Sequence, residues 1–106
     1  MILREKDKRI LIEIFDKVNL PFEAWAYGSR VSGNAHDGSD LDLVLSMQDL
    51  SKFPIEEFIF LKDAIQNSKI PILVDLHDWA RIPISFHNKI LSCKEILYSN
   101  INIVAN

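Results

Sequence analysis

Between residues 40 and 45 the chain reads Asp40-Leu41-Asp42-Leu43-Val44-Leu45. The alternation is that of a β-strand, in which successive side chains point to opposite faces. Leu41, Leu43 and Leu45 therefore share one face, and Asp40 and Asp42 project together from the other, their Cα atoms roughly 7 Å apart. Like charges held so close each favour protonation of the other unless a cation lies between them. Mg²⁺ takes oxygen ligands and is usually held by one or two carboxylates plus substrate phosphates. The pair reads as a metal seat or, taken alone, as two solvated acids on an exposed strand.

Asp75 adds a third acid. It interrupts Ile70-Pro71-Ile72-Leu73-Val74-Asp75-Leu76, an apolar run that reads as a buried strand. A carboxylate in apolar surroundings is costly unless it is paired or bound to a metal. A strand-end or cap position is the alternative. Three acids from two strands allow two metal ions, the arrangement that serves both attacking and leaving oxygens in phosphoryl and nucleotidyl transfer. Upstream, Phe22 to Tyr27 is an aromatic and apolar strand that ends in Gly28-Ser29-Arg30. Glycine lets the backbone approach a phosphate closely, and Ser29 adds a hydroxyl donor. Ten residues separate Ser29 from Asp40, giving Gly-Ser-x10-Asp-x-Asp: a phosphate turn, then a metal seat.

Around these strands the chain has three helical stretches. Ile10, Leu11, Ile14, Phe15 and Val18 keep a helical spacing that Pro21 terminates. A second pattern opens at Pro54 with Phe58, Leu61, Ala64 and Ile65 inward, and a third runs from Ile82 to Leu97 with Phe86, Ile90 and Leu91 inward. Residues 30–39 are polar and read as a loop with at most a short helix. The order is α-β-loop-β-α-β-α, an α+β unit with about three strands, expected to be a single domain over residues 1–106.

Composition narrows the function. The 106 residues hold 12 Lys and Arg against 15 Asp and Glu, a net charge of −3, with no basic run. Grip on a polynucleotide through its phosphates is therefore not expected. No apolar run approaches membrane-spanning length, the first residues carry charges where a signal peptide needs its apolar stretch, and Cys93 is the only cysteine. A cytoplasmic location is the expectation.

Together, Gly28-Ser29-Arg30-Val31-Ser32-Gly33, Ser39-Asp40-Leu41-Asp42-Leu43-Val44 and Val74-Asp75-Leu76 resemble the nucleotidyltransferase fold of the DNA polymerase beta superfamily. The resemblance covers nearly the whole chain and is strongest to the minimal nucleotidyltransferases, short proteins encoded beside a helical HEPN-type partner. It implies a small mixed sheet flanked by helices. It also implies transfer of AMP from ATP to a hydroxyl, a tyrosine of the partner toxin, in an antitoxin role. Asp40, Asp42 and Asp75 would then be catalytic and bind two Mg²⁺ ions, while Gly28 and Ser29 hold the triphosphate. Many relatives carry a basic residue just before the second glycine, where this chain has Ser32; Arg30 is the candidate to supply that charge. Ser39 is assigned to the nucleotide site or to positioning of the strand start. Two other readings are transfer to a small molecule and a non-catalytic module that neutralises a helical partner by contact.

His36, His77 and His87 lack the paired spacing of a zinc site. Trp25, Tyr27, Trp79 and Cys93 read as core residues, with base stacking or pocket lining as the rarer role for the aromatics. Phe58-Ile59-Phe60-Leu61 is more apolar than one helical stripe requires and fits a buried helix, a partner surface or a homodimer contact.

Overall fold

A computed structural model describes residues 1–101. Its elements run α1 (Glu5–Phe15), β1 (Phe22–Tyr27), α2 (Ser29–Ser32), β2 (Leu41–Met47), α3 (Ile55–Gln66), β3 (Val74–Asp78), α4 (Ile84–Cys93) and β4 (Glu95–Ser99). The four strands form one mixed sheet in the order β3-β2-β1-β4. β1 is antiparallel to both its neighbours, and β2 runs parallel to β3. A parallel pair needs a crossover, and α3 supplies it.

Alternation divides the sheet into two faces. Phe22, Ala24 and Ala26 of β1, Leu41, Leu43 and Leu45 of β2 and Leu76 of β3 join Leu11, Ile14 and Phe15 of α1 and Leu61 and Ile65 of α3 in the main core. Phe22 and Tyr98 are central there, with ring centroids 5.3 Å apart, and the Tyr98 hydroxyl donates to Asp16 Oδ1 at 2.9 Å. The opposite face carries a smaller cluster of Trp25, Val44 and Ile90, with Tyr27, Trp79 and Ile82 packed against it. Thus α4 covers one part of this second face and leaves the end bearing Tyr27 and Asp42 less covered.

Three expectations are corrected. The helix expected to reach Leu97 ends at Cys93; Lys94 is extended (φ −64°, ψ 148°), and the chain enters a fourth strand at once. The register shift opposite Ala24 and Trp25 lets both Leu97 and Tyr98 turn inward, a gain that local helix preference cannot match. Phe86 and Leu91, expected inward, are exposed, and only Ile90 of that trio is buried. Finally, the third strand starts at Val74 rather than Ile70, and it is an edge strand. Asp75 is therefore not enclosed by apolar neighbours: its side chain is 53% exposed.

Candidate active site

The turn after β1 explains why residue 28 is glycine. Its φ of +80° lies where side chains are rarely tolerated, and a Cβ built there would fall 2.5 Å from Asp42 Oδ2. The Gly-Ser turn and the second aspartate of the x10 spacing thus touch. Gly28's carbonyl accepts from Val31 and Ser32, winding the chain into α2, and Gly33 closes that turn in the left-handed region.

The register brings the acids together. Asp42 is paired with Tyr27 of β1 on one side and with Asp75 of β3 on the other. Paired residues share a face, so Tyr27, Asp42 and Asp75 form a row across three strands, with neighbouring strands roughly 5 Å apart. Asp40 lies two residues before Asp42 and is exposed. Partial burial, then the charges of Asp75 and Asp40, hold the Asp42 carboxyl above the usual carboxylate range, with His77 opposing. Burial, Asp42 and Asp75 push the Tyr27 phenol up to about 12. Asp75 Oδ2 meets His77 Nε2 at 3.0 Å.

A hard cation suits this donor set in kind. All three acids offer oxygen ligands, and the crowding at Asp42 is what a positive ion relieves. The carboxylates do not converge on one point, however: among the described residues no three His, Cys, Asp or Glu side chains are arranged to hold an ion.

Arg30, expected to supply charge at the nucleotide site, is engaged by the backbone. It is 6% exposed, and its guanidinium donates to the backbone carbonyls of Ile2 (2.8 Å), Ser39 (3.0 Å), Asp37 (3.2 Å) and His36 (3.4 Å). With its donors turned to these carbonyls, it fixes the loop that leads into Asp40. Ser39 belongs to the same loop; its hydroxyl accepts from the His36 N–H at 3.0 Å. A depression of about 660 Å³ lies around Met1, Arg4 and Arg30, but its two guanidinium groups are engaged, Arg4 by Asp7 and Arg30 by the carbonyls.

Two residues escaped the sequence reading. Tyr27 read as a core aromatic, yet it is Asp42's neighbour; only the strand register could reveal that. Asp78 is buried, and its carboxylate accepts from the Phe53 N–H at 2.9 Å, from the Ala80 N–H at 3.2 Å and from Arg81. It anchors the start of α3 to the end of β3.

A mixed sheet with a glycine-serine turn against an acid row defines a class, and comparison with known proteins gives the same answer. The family model described as Polymerase beta, Nucleotidyltransferase matches residues 9–102. The chain belongs to this nucleotidyltransferase family. It is 35% identical over 78 residues to MntA of Haemophilus influenzae, described as a "probable protein adenylyltransferase"; the match spans 74% of this chain and 67% of MntA. Its fold is similar to that of a crystal structure of a toxin-antitoxin with AMP-PNP (TM-score 0.68, 17% identity, 88% of this chain and 73% of the other). A structure from Sulfolobus solfataricus, provisionally described as a nucleotidyltransferase, is also similar (TM-score 0.54, 14% identity, 92% and 83% covered).

Proposed function

We propose that this nucleotidyltransferase moves AMP from ATP to a hydroxyl on a partner protein, a tyrosine of a HEPN-type helical toxin, and so acts as an antitoxin. The observation that carries the reading is the row Asp42–Asp75 with Gly28 packed against Asp42. The likeness to MntA supports protein as the acceptor, and the likeness to a toxin-antitoxin structure with AMP-PNP supports the setting.

In this reading residues 1–101 present one catalytic unit. Gly28 and Ser29 hold the triphosphate, the glycine because a side chain there would strike Asp42. Asp40, Asp42 and Asp75 would hold two Mg²⁺ ions, whose charge would offset that building on the phosphoryl oxygens. Asp75, exposed on the edge strand, is open to an incoming hydroxyl and takes its proton. The acceptor oxygen forms a bond to the α-phosphorus, the bond to the β-bridging oxygen breaks, and pyrophosphate leaves with that electron pair. Positioning and electrostatics carry such transfers. Arg30 and Ser39 act by holding the loop that delivers Asp40.

The test is incubation with labelled ATP, Mg²⁺ and a small helical protein encoded beside this one that carries an Arg-x4-His-x-Tyr motif, followed by mass spectrometry. A gain of one or more AMP units on that protein, lost with Asp42→Asn, is the expected result. Tight complex formation without modification would favour neutralisation by contact alone.

A further inference from the structure

Beside the acid row, on the same sheet face, lies a depression of about 360 Å³, within the size range of small-molecule sites. Tyr27 and His77 border it from the sheet, and Ile82, Phe86 and Ile90 form its apolar wall along α4. Both sheet residues touch the row already described: Tyr27 is Asp42's register partner and immediately precedes Gly28, and His77 is bonded to Asp75. The wall is well anchored. His87 of α4 stacks on Trp79 with centroids 3.7 Å apart, and its Nε2 lies 3.0 Å from the Trp79 carbonyl. Phe86, by contrast, is 52% exposed and offers its ring to whatever enters.

The rim adds two cations, Arg81 and Lys89. Arg81 is paired with Asp78, whereas Lys89 takes part in none of the four ion pairs among the described residues. Lysine and arginine only donate hydrogen bonds, so an occupant must present acceptors as well as apolar faces. A purine ring does both: its faces stack on aromatic and aliphatic walls, and its ring nitrogens accept.

Position selects the same occupant. The α-phosphorus of a nucleoside triphosphate lies between the pyrophosphate and the nucleoside. If the acids serve that phosphorus and the Gly28-Ser29 turn serves the pyrophosphate, the nucleoside must leave the row on its other side, along the sheet face toward α4. We infer that the depression between Tyr27, His77 and α4 is the nucleobase site of the transferred nucleotide, with Phe86 as its stacking residue and Lys89 as a donor to the ring edge. The inference rests on the transferase reading and adds to it where base selectivity resides.

Isothermal titration with ATP and with inorganic tripolyphosphate, each with Mg²⁺, separates the two. The wild-type protein is expected to bind ATP at least tenfold more tightly than tripolyphosphate. Phe86→Ala should weaken ATP by about tenfold, the scale of one lost base-aromatic stack, and leave tripolyphosphate unchanged. Phe86→Tyr should restore ATP affinity, which a merely structural role for an exposed ring would not require. Equal wild-type affinities, or equal weakening of both ligands by Phe86→Ala, would overturn the base site and leave the transferase reading standing. Binding of neither ligand by the wild-type protein would overturn both.

Discussion

At the scale of single residues, Asp42 carries opposing demands. Its carboxyl is held above the usual range by burial and by Asp75 and Asp40, so folding is penalised whenever it is ionised. For a carboxyl raised in the folded state the penalty is complete above the folded value and vanishes once pH falls below the unfolded one, about 3.9. Asp42→Asn should therefore leave the melting temperature unchanged or raise it at pH 7, and any gain should fade toward pH 3.5. The same change should lower transfer at least ~100-fold, the scale of one important electrostatic contact. Parallel melting curves and single-turnover assays check both halves. Tyr27 gives the alkaline counterpart. Its phenol ionises near 10 unfolded and near 12 folded, so stability is lost as pH rises through that interval. Because the ring is only partly buried, solvent screening limits the effect to about 1 kcal/mol. Tyr27→Phe should lose less stability between pH 9.5 and 11.5 than the wild type does, measured by urea unfolding.

Among the elements, what the sequence made legible followed from short-range pattern, and what it hid followed from pairing. The leucine alternation at 41–45 marks β2, and the Gly-Ser turn marks the end of β1, because both are written in adjacent residues. The fourth strand was hidden because Glu95-Ile96-Leu97-Tyr98 continues a helical pattern and becomes a strand only opposite β1. Asp75 was singled out as an acid in a buried apolar strand, whereas it stands beside Asp42 on an edge strand. The packing of Arg30 was hidden because no sequence pattern reveals four backbone carbonyls converging on a side chain. Arg30→Met should cost about 3 kcal/mol, since the buried guanidinium's bonds to four carbonyls are lost, and Arg30→Lys should recover little because an ammonium cannot match the planar fork. Chemical denaturation measures both. Asp78→Ala should cost about 2–3 kcal/mol by orphaning the Phe53 N–H and unpairing Arg81.

On the scale of the whole molecule, the net charge of −3 and the sheet's two faces belong together. The leucine face is closed by α1 and α3 into the main core, whereas the other is shared between α4 and the acid row. Stability thus resides on one side of the sheet and the proposed chemistry at the end of the other, where like charges are left crowded. A ligand that brings positive charge to that end should stabilise the fold by more than its contacts alone suggest. Mg²⁺ with ATP at about 100 times its Kd should add about 2.7 kcal/mol. For a chain of this length each kcal/mol is worth about 4–8 °C in melting temperature, so a rise of roughly 10 °C or more is expected. ATP with excess chelator should give much less of that rise, because its own charge then meets the acids uncompensated. Asp42→Asn should reduce the shift with Mg²⁺ and ATP without lowering the unliganded melting temperature. An equal shift in both proteins would mean that the nucleotide binds away from the acid row.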